Sequence, residues 1–143
     1  MIMLNNLPLK DARPHNQAHL LLWDNPQETE LIQLILHYNA QMVNYRENLL
    51  SRIHPNDKFL GLHHYLDREL DAIKSLCMGV NKSIVLLEGL DCLITYLYAQ
   101  GHNTTLFWSN LEQTRKLETL LWILIPSNLA PGDWPKERLQ SLN

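Results

Sequence analysis

Residues 81–100 read Asn81-Lys-Ser-Ile-Val-Leu-Leu-Glu-Gly-Leu-Asp-Cys-Leu-Ile-Thr-Tyr-Leu-Tyr-Ala-Gln100, and the fold turns on whether this run is one helix or something else. Wound at roughly 100° per residue, it places Leu86, Leu87, Leu90, Leu93, Ile94 and Leu97 on one broad face. Val85, Gly89, Cys92 and Tyr96 extend the apolar character, while Glu88, Asp91 and Thr95 share one narrow polar strip. A helix this apolar must be covered on most sides, which predicts three partner helices.

The flanking sequence supplies three candidates. Asn25 is a good N-cap, Pro26 suits the first helical position, and Glu28 completes the capping-box spacing. Leu31, Ile35, Tyr38, Met42, Tyr45 and Leu49 then recur at helical steps, predicting a helix over about 26–53 that ends before Pro55. A second, over about 57–78, carries Phe59, Leu62, Leu66, Leu70, Ile73 and Cys77 and stops at Gly79. The quoted run is the third, about 82–100, with Gly101 as its stop. The fourth, about 104–125, is capped by Asn103 or Thr104, carries Phe107, Leu111, Leu117, Leu121 and Leu124, and ends at Pro126.

Between residues 27 and 125 the one proline is Pro55, and no strand-like alternation runs for any useful length. The expectation is therefore an all-α, single-domain, up-down-up-down four-helix bundle with extended N- and C-terminal arms. Residues 1–24 form an arm that docks Leu22 and Trp23 on the bundle. Pro14 to Trp23 is open to a short helix. Residues 25–126 are the bundle and 127–143 an extended tail, with one further turn possible after Lys136.

Composition narrows the function. The chain has 143 residues, 45% hydrophobic and 19% charged, with a formal charge of -3, which is globular rather than disordered. Its basic residues are scattered, with no run longer than Arg115-Lys116, so nucleic acid is not an expected partner. Cys77 and Cys92 are isolated thiols suited to a reducing cytosol, and the N-terminus has no leader-like head or apolar run. The most apolar window, near 83–99, is interrupted by Glu88 and Asp91, so no membrane span is expected and the placement is cytoplasmic.

Catalytic and metal chemistry find little footing. His15 and His19 have i, i+4 spacing without a further ligand nearby, and adjacent His63 and His64 cannot share one ion on a helix. No Glu-x-x-His pair exists for a di-metal bundle, Ser83 and Ser109 lack an elbow motif, and the five glycines are too dispersed for a phosphate loop. No metal and no cofactor are expected.

Two groups of residues remain. Arg46, His63, Asp91 and Asn110, with Glu88 a turn away, fall at one level of the expected bundle. They read either as a buried polar network that fixes register or as the lining of a small polar cavity. Tyr65, Leu76, Trp108, Trp122 and Ile123 fall outside the expected buried stripes, where either the arms or a partner would cover them. The leading functional expectation is a small cytoplasmic helical interaction module: an adaptor, secretion-type chaperone, regulator or inhibitor without catalysis. It would bind another protein or itself as a homodimer. The alternative is a small-ligand sensor or enzyme using the cavity around Arg46, His63, Asp91 and Asn110.

Overall fold

Residues 81–100 form two elements, not one helix. In the computed structural model, which describes residues 7, 9–53, 64–101 and 104–143, Ile84–Glu88 is a β-strand and Asp91–Ala99 an α-helix. Gly89 makes the break. Its φ is +85°, and a Cβ there would lie 3.1 Å from the backbone N of Arg46 and 3.2 Å from Asn44 Oδ1. Ile84, Val85, Leu86 and Leu87 are all buried because both faces of the strand are covered. A strand covered on both faces needs the same continuous apolar run as a buried helix.

Among the described residues the order is β1 (Ala18–Leu22), α1 (Glu28–Tyr38), β2 (Gln41–Asn44), α2 (Tyr45–Arg52), α3 (Leu66–Leu76), β3 (Ile84–Glu88), α4 (Asp91–Ala99), α5 (Thr105–Gln113), β4 (Leu120–Ile125) and β5 (Leu139–Ser141). Single 3₁₀ turns occupy Ser127–Leu129 and Lys136–Arg138. The strands pair in parallel, in the order β2-β3-β4-β1-β5. Leu20 stands opposite Ile123 on one side and Leu139 on the other, and Leu86 stands between Met42 and Trp122. The architecture is α/β, and the four-helix bundle is overturned.

Three of the four expected helices break at an identifiable place. The span 26–53 is cut by Asn39, which takes the left-handed conformation at φ 50° and lets Ala40 N–H donate back to the Ile35 carbonyl. β2 and the short α2 follow. Met42, Tyr45 and Leu49 kept the helical spacing by coincidence across that break. The span 104–125 is α5, then a loop with Lys116 at φ 65°, then β4, whose Leu-Leu-Trp-Ile-Leu-Ile is buried throughout. Of the span 57–78, α3 accounts for residues 66–76, while Phe59, Leu62 and the capping positions lie outside the described residues. Both supposed arms belong to the sheet: residues 18–22 form an interior strand and residues 139–141 the edge strand beside it.

Right-handed crossovers dictate the layering. From β1 the chain crosses to β2 at the far edge, then steps back through β3 and β4 to β5, so α1 lies on one face and α2 to α5 on the other. The two cores agree with this. Leu34 and Tyr38 of α1 pack with Leu9, Leu21, Ile84, Leu86, Trp122 and Leu124. Tyr45, Ile73, Leu93, Leu97 and Phe107 pack with Leu20, Val85, Leu87, Leu121 and Ile123 on the opposite side. Alternate residues along each strand thus serve different cores.

Candidate ligand site at the carboxyl edge of the sheet

β1 and β4 are neighbours, but their onward connections leave over opposite faces. In open parallel sheets this divergence opens a crevice outside the carboxyl ends of the strands, the preferred place for a ligand. A crevice of about 210 Å³ lies there, lined by Trp23 and Asp24 after β1, Pro26 and Leu31 at α1, Glu88, Gly89 and Asp91 after β3, and Leu124 to Pro126 at the end of β4.

The walls are held by hydrogen bonds between loops. Asp24 Oδ1 accepts from both the backbone N–H and the hydroxyl of Ser127 at 2.8 Å, and these bonds hold its carboxyl below the usual carboxylate range. The backbone N–H of Asp24 donates to Asn143 Oδ1. Across the crevice, Glu88 Oε1 accepts from Asn44 Nδ2 at 3.0 Å, while Asn44 Oδ1 caps α2 by accepting from Glu47 N–H. Asp91 stands in the first turn of α4, and among the described residues its carboxylate forms no ion pair. Trp23, Pro26, Leu31, Leu124, Ile125 and Pro126 give apolar walls, and the three charged lining residues are all carboxylates.

Phosphate chemistry does not suit this edge. The loop after β1 reads Trp23-Asp24-Asn25-Pro26-Gln27, without glycine or lysine, and the Glu30 side chain occupies the Gln27 N–H at the start of α1. Asp91 likewise places a negative charge at the start of α4. Comparisons with family models, curated proteins and solved structures return no match. The reading of the site therefore rests on geometry alone.

Of the expected internal polar cluster, Arg46, Glu88 and Asp91 do gather, but at this open edge rather than inside a bundle. Arg46 is the second residue of α2, its backbone against Gly89, and its side chain is exposed with no ion pair among the described residues. Arg46 and Asp91 act with opposite sign on the half-buried Cys92 thiol, which burial pushes up. Asn110 lies on α5 and is not among the crevice-lining residues, and His63 lies outside the described residues. The expected outer surface is not a surface. Trp122 and Ile123 sit 2% and 0% exposed in the central strand β4, Trp108 is buried against Trp134, and Leu76 packs on the core. Tyr65 alone is outside, under the Arg68 guanidinium.

The buried charge that the sequence promised lies elsewhere. Glu69 of α3 is 0% exposed and accepts from Arg52 at 2.7 and 3.1 Å, from Tyr45 Oη–H at 2.5 Å and from Arg68 at 3.0 Å. Burial alone would raise its carboxyl, but these donors outweigh burial and hold it low. Burial, with the Glu69 carboxylate alongside, pushes the Tyr45 phenol up. The buried guanidinium is Arg138, which donates to Glu112 and Gln17 and lies over the Trp134 ring. Neither arginine carried a periodicity signal, because Arg52 ends a helix and Arg138 sits in a 3₁₀ turn. Among the described residues no three His, Cys, Asp or Glu side chains are grouped to hold a metal ion, and no helix is long and apolar enough to cross a membrane.

Proposed function

We propose that this chain is a small-ligand-binding domain, that its site is the crevice between β1, β3 and β4, and that the ligand carries a positively charged nitrogen. The observation that carries this reading is the lining itself. Apolar walls lie beside Glu88 and Asp91 at the sheet's switch point, and no lysine or arginine is among the lining residues. Small sites commonly combine an apolar body with a few placed polar groups. The crevice is small, about 210 Å³, and its charged groups are all carboxylates, which suits an alkylamine or a guanidinium head rather than the phosphates of a nucleotide. The Asn44 bond engages Glu88 Oε1, and the exposed Asp91 carboxylate forms no ion pair among the described residues.

The test uses Trp23, whose ring lines the crevice, as the reporter. Putrescine, agmatine, ATP and sodium chloride are titrated at matched ionic strength while tryptophan emission and the melting temperature are recorded. The expected result is saturable quenching and a raised melting temperature with an amine or guanidine, both lost in the Glu88→Gln/Asp91→Asn variant. Saturable binding of ATP in place of the cations, or the same response in the variant, would refute the reading.

A further inference from the structure

At the opposite edge of the sheet, beside the amino ends of β3 and β4, lies a second recess of about 290 Å³. Buried Ile84 and Leu120 supply its apolar lining, with Ser83 and Thr119 beside them. Lys10, Arg13 and His15, from the segment preceding β1, line the rest, and Glu118 is the one carboxylate among the lining residues.

That segment is pinned to the fold. Leu9 is buried in the core beneath it, and the Leu9 carbonyl accepts from Trp122 Nε1. Tyr38 Oη exchanges two hydrogen bonds with the Leu7 backbone, at 2.8 and 2.9 Å. The Pro14 carbonyl accepts from His19 Nε2 at 2.8 Å. The basic side chains therefore project from a fixed backbone.

Among the described residues neither cation is held in an ion pair. The ion pairs of the described residues engage Arg52, Arg68 and Arg138, whereas Lys10 and Arg13 form none. Arg13 Nη1 instead lies 2.5 Å from His15 Nδ1. A guanidinium can only donate, so Nδ1 is the acceptor in this contact. The recess thus presents an ammonium, the remaining N–H groups of a guanidinium, the His15 imidazole and the Ser83 and Thr119 hydroxyls, with Glu118 as the one carboxylate. A donor-rich, cationic lining calls for a ligand made of acceptors.

We infer that this recess binds a phosphate-type oxyanion, either free phosphate or the terminal group of a small phosphomonoester. Its charged oxygens match the guanidinium fork and the ammonium together, and a single carboxylate would leave donors unused. The inference is independent of the carboxyl-edge site, because β3 separates the two by about 13 Å from Ile84 to Glu88.

Titration with inorganic phosphate, and separately with glycerol 3-phosphate, at ionic strength balanced by sodium chloride tests this. The readout is the ¹⁵N amide shifts of Ser83, Glu118 and Thr119. The expected result is saturable movement with a Kd on the order of 1 mM for phosphate. The Lys10→Gln/Arg13→Gln variant weakens it at least tenfold, and Glu88→Gln/Asp91→Asn leaves it unchanged. Tighter binding of glycerol 3-phosphate identifies a phosphomonoester ligand, and equal or weaker binding identifies free phosphate. Non-saturating shifts, equal shifts with sodium chloride alone, or unchanged affinity in the Lys10/Arg13 variant would overturn the inference. Both substituted side chains are exposed, so an unchanged melting temperature without ligand establishes that the variant is folded.

Discussion

Replacing Arg52 by methionine should strand the Glu69 carboxylate inside the α2–α3 interface. The wild-type guanidinium gives Glu69 two hydrogen bonds, at 2.7 and 3.1 Å, and Glu69 has no exposed surface. Hydrogen bonds to a buried charge contribute about 1.5–3 kcal/mol each, and breaking a buried pair by removing one partner costs about 3–5 kcal/mol. Arg52 is itself 27% exposed, and Tyr45 and Arg68 still donate to the carboxylate, so the lower end applies. The expectation is a loss of about 3 kcal/mol at pH 7, a large part of a typical domain's 5–15 kcal/mol. The assay is equilibrium urea unfolding of wild type, Arg52→Met, Glu69→Gln and the double variant. Because the neutral amide removes the stranded charge, the double variant should be more stable than Arg52→Met alone. The pH dependence gives a second check. A carboxyl held low in the folded state contributes stability above its unfolded pKa that is lost as pH falls through the folded one, so the deficit of Arg52→Met should shrink below about pH 4. A double variant no more stable than Arg52→Met, or a deficit constant with pH, would refute the reasoning.

Two further outcomes follow from local geometry. Gly89→Ala forces a Cβ to within 3.1 Å of backbone at φ +85° and should cost about 2 kcal/mol, whereas Gly132→Ala, with nothing within 4 Å, should leave the urea midpoint nearly unmoved. His19 is buried, with Nε2 bonded to Pro14 and Nδ1 without a partner among the described residues. Burial lowers its pKa, the Pro14 carbonyl opposes that, and Arg138 adds to the lowering. The unfolded chain then binds a proton that the folded one resists, so stability should fall as pH drops below about 6.5, by at most about 1.4 kcal/mol per pH unit. Urea midpoints at pH 7, 6 and 5 should show that slope in wild type and a flatter one in His19→Phe; equal slopes would assign the effect elsewhere.

Much of the punctuation was legible, and the helices lie within the expected helical spans, but the strands were not legible. Gly79 and Gly101 do take positive φ just beyond α3 and α4, and α1 starts within two residues of Pro26. The apolar runs misled because Ile84 to Leu87 and Leu120 to Ile125 lack alternation. An interior parallel strand and a buried helix present the same sequence when every face is covered. The absence of proline between Gln27 and His54 argued equally for either, since interior strands also exclude it. The signal available at the decisive place was Gly89. On a helix it is an isolated weak residue, and after four apolar residues with a β-branched pair it is a strand end. Glu88 and Asp91 stood out as polar interruptions, but their meeting with Trp23 and Asp24 depends on β1 lying beside β4, a pairing no local pattern encodes. Trp122 looked external only because helical geometry had been imposed on a strand.

The pairing of β1 also bears on how the chain comes to be folded. This strand is the earliest in the sequence, yet both of its neighbours, β4 and β5, come from the last quarter. The lock at its end is equally remote: Leu22 accepts from Leu142 N–H, and Asp24 N–H reaches Asn143 across 119 positions. As the chain is synthesised, residues 18–22 have no sheet to join until the final strands emerge. A stretch of Leu-Leu-Leu-Trp must wait in solvent or in passing contacts. Closure entropy and sequence distance then place its docking late, after β2, β3 and β4 have formed their own ladder. The first of these strands to be made is seated only after β4 has emerged, and β5 can join only once β1 is in place, so until then the open edges of β4 and β1 are where chains in translation are most exposed to pairing with one another.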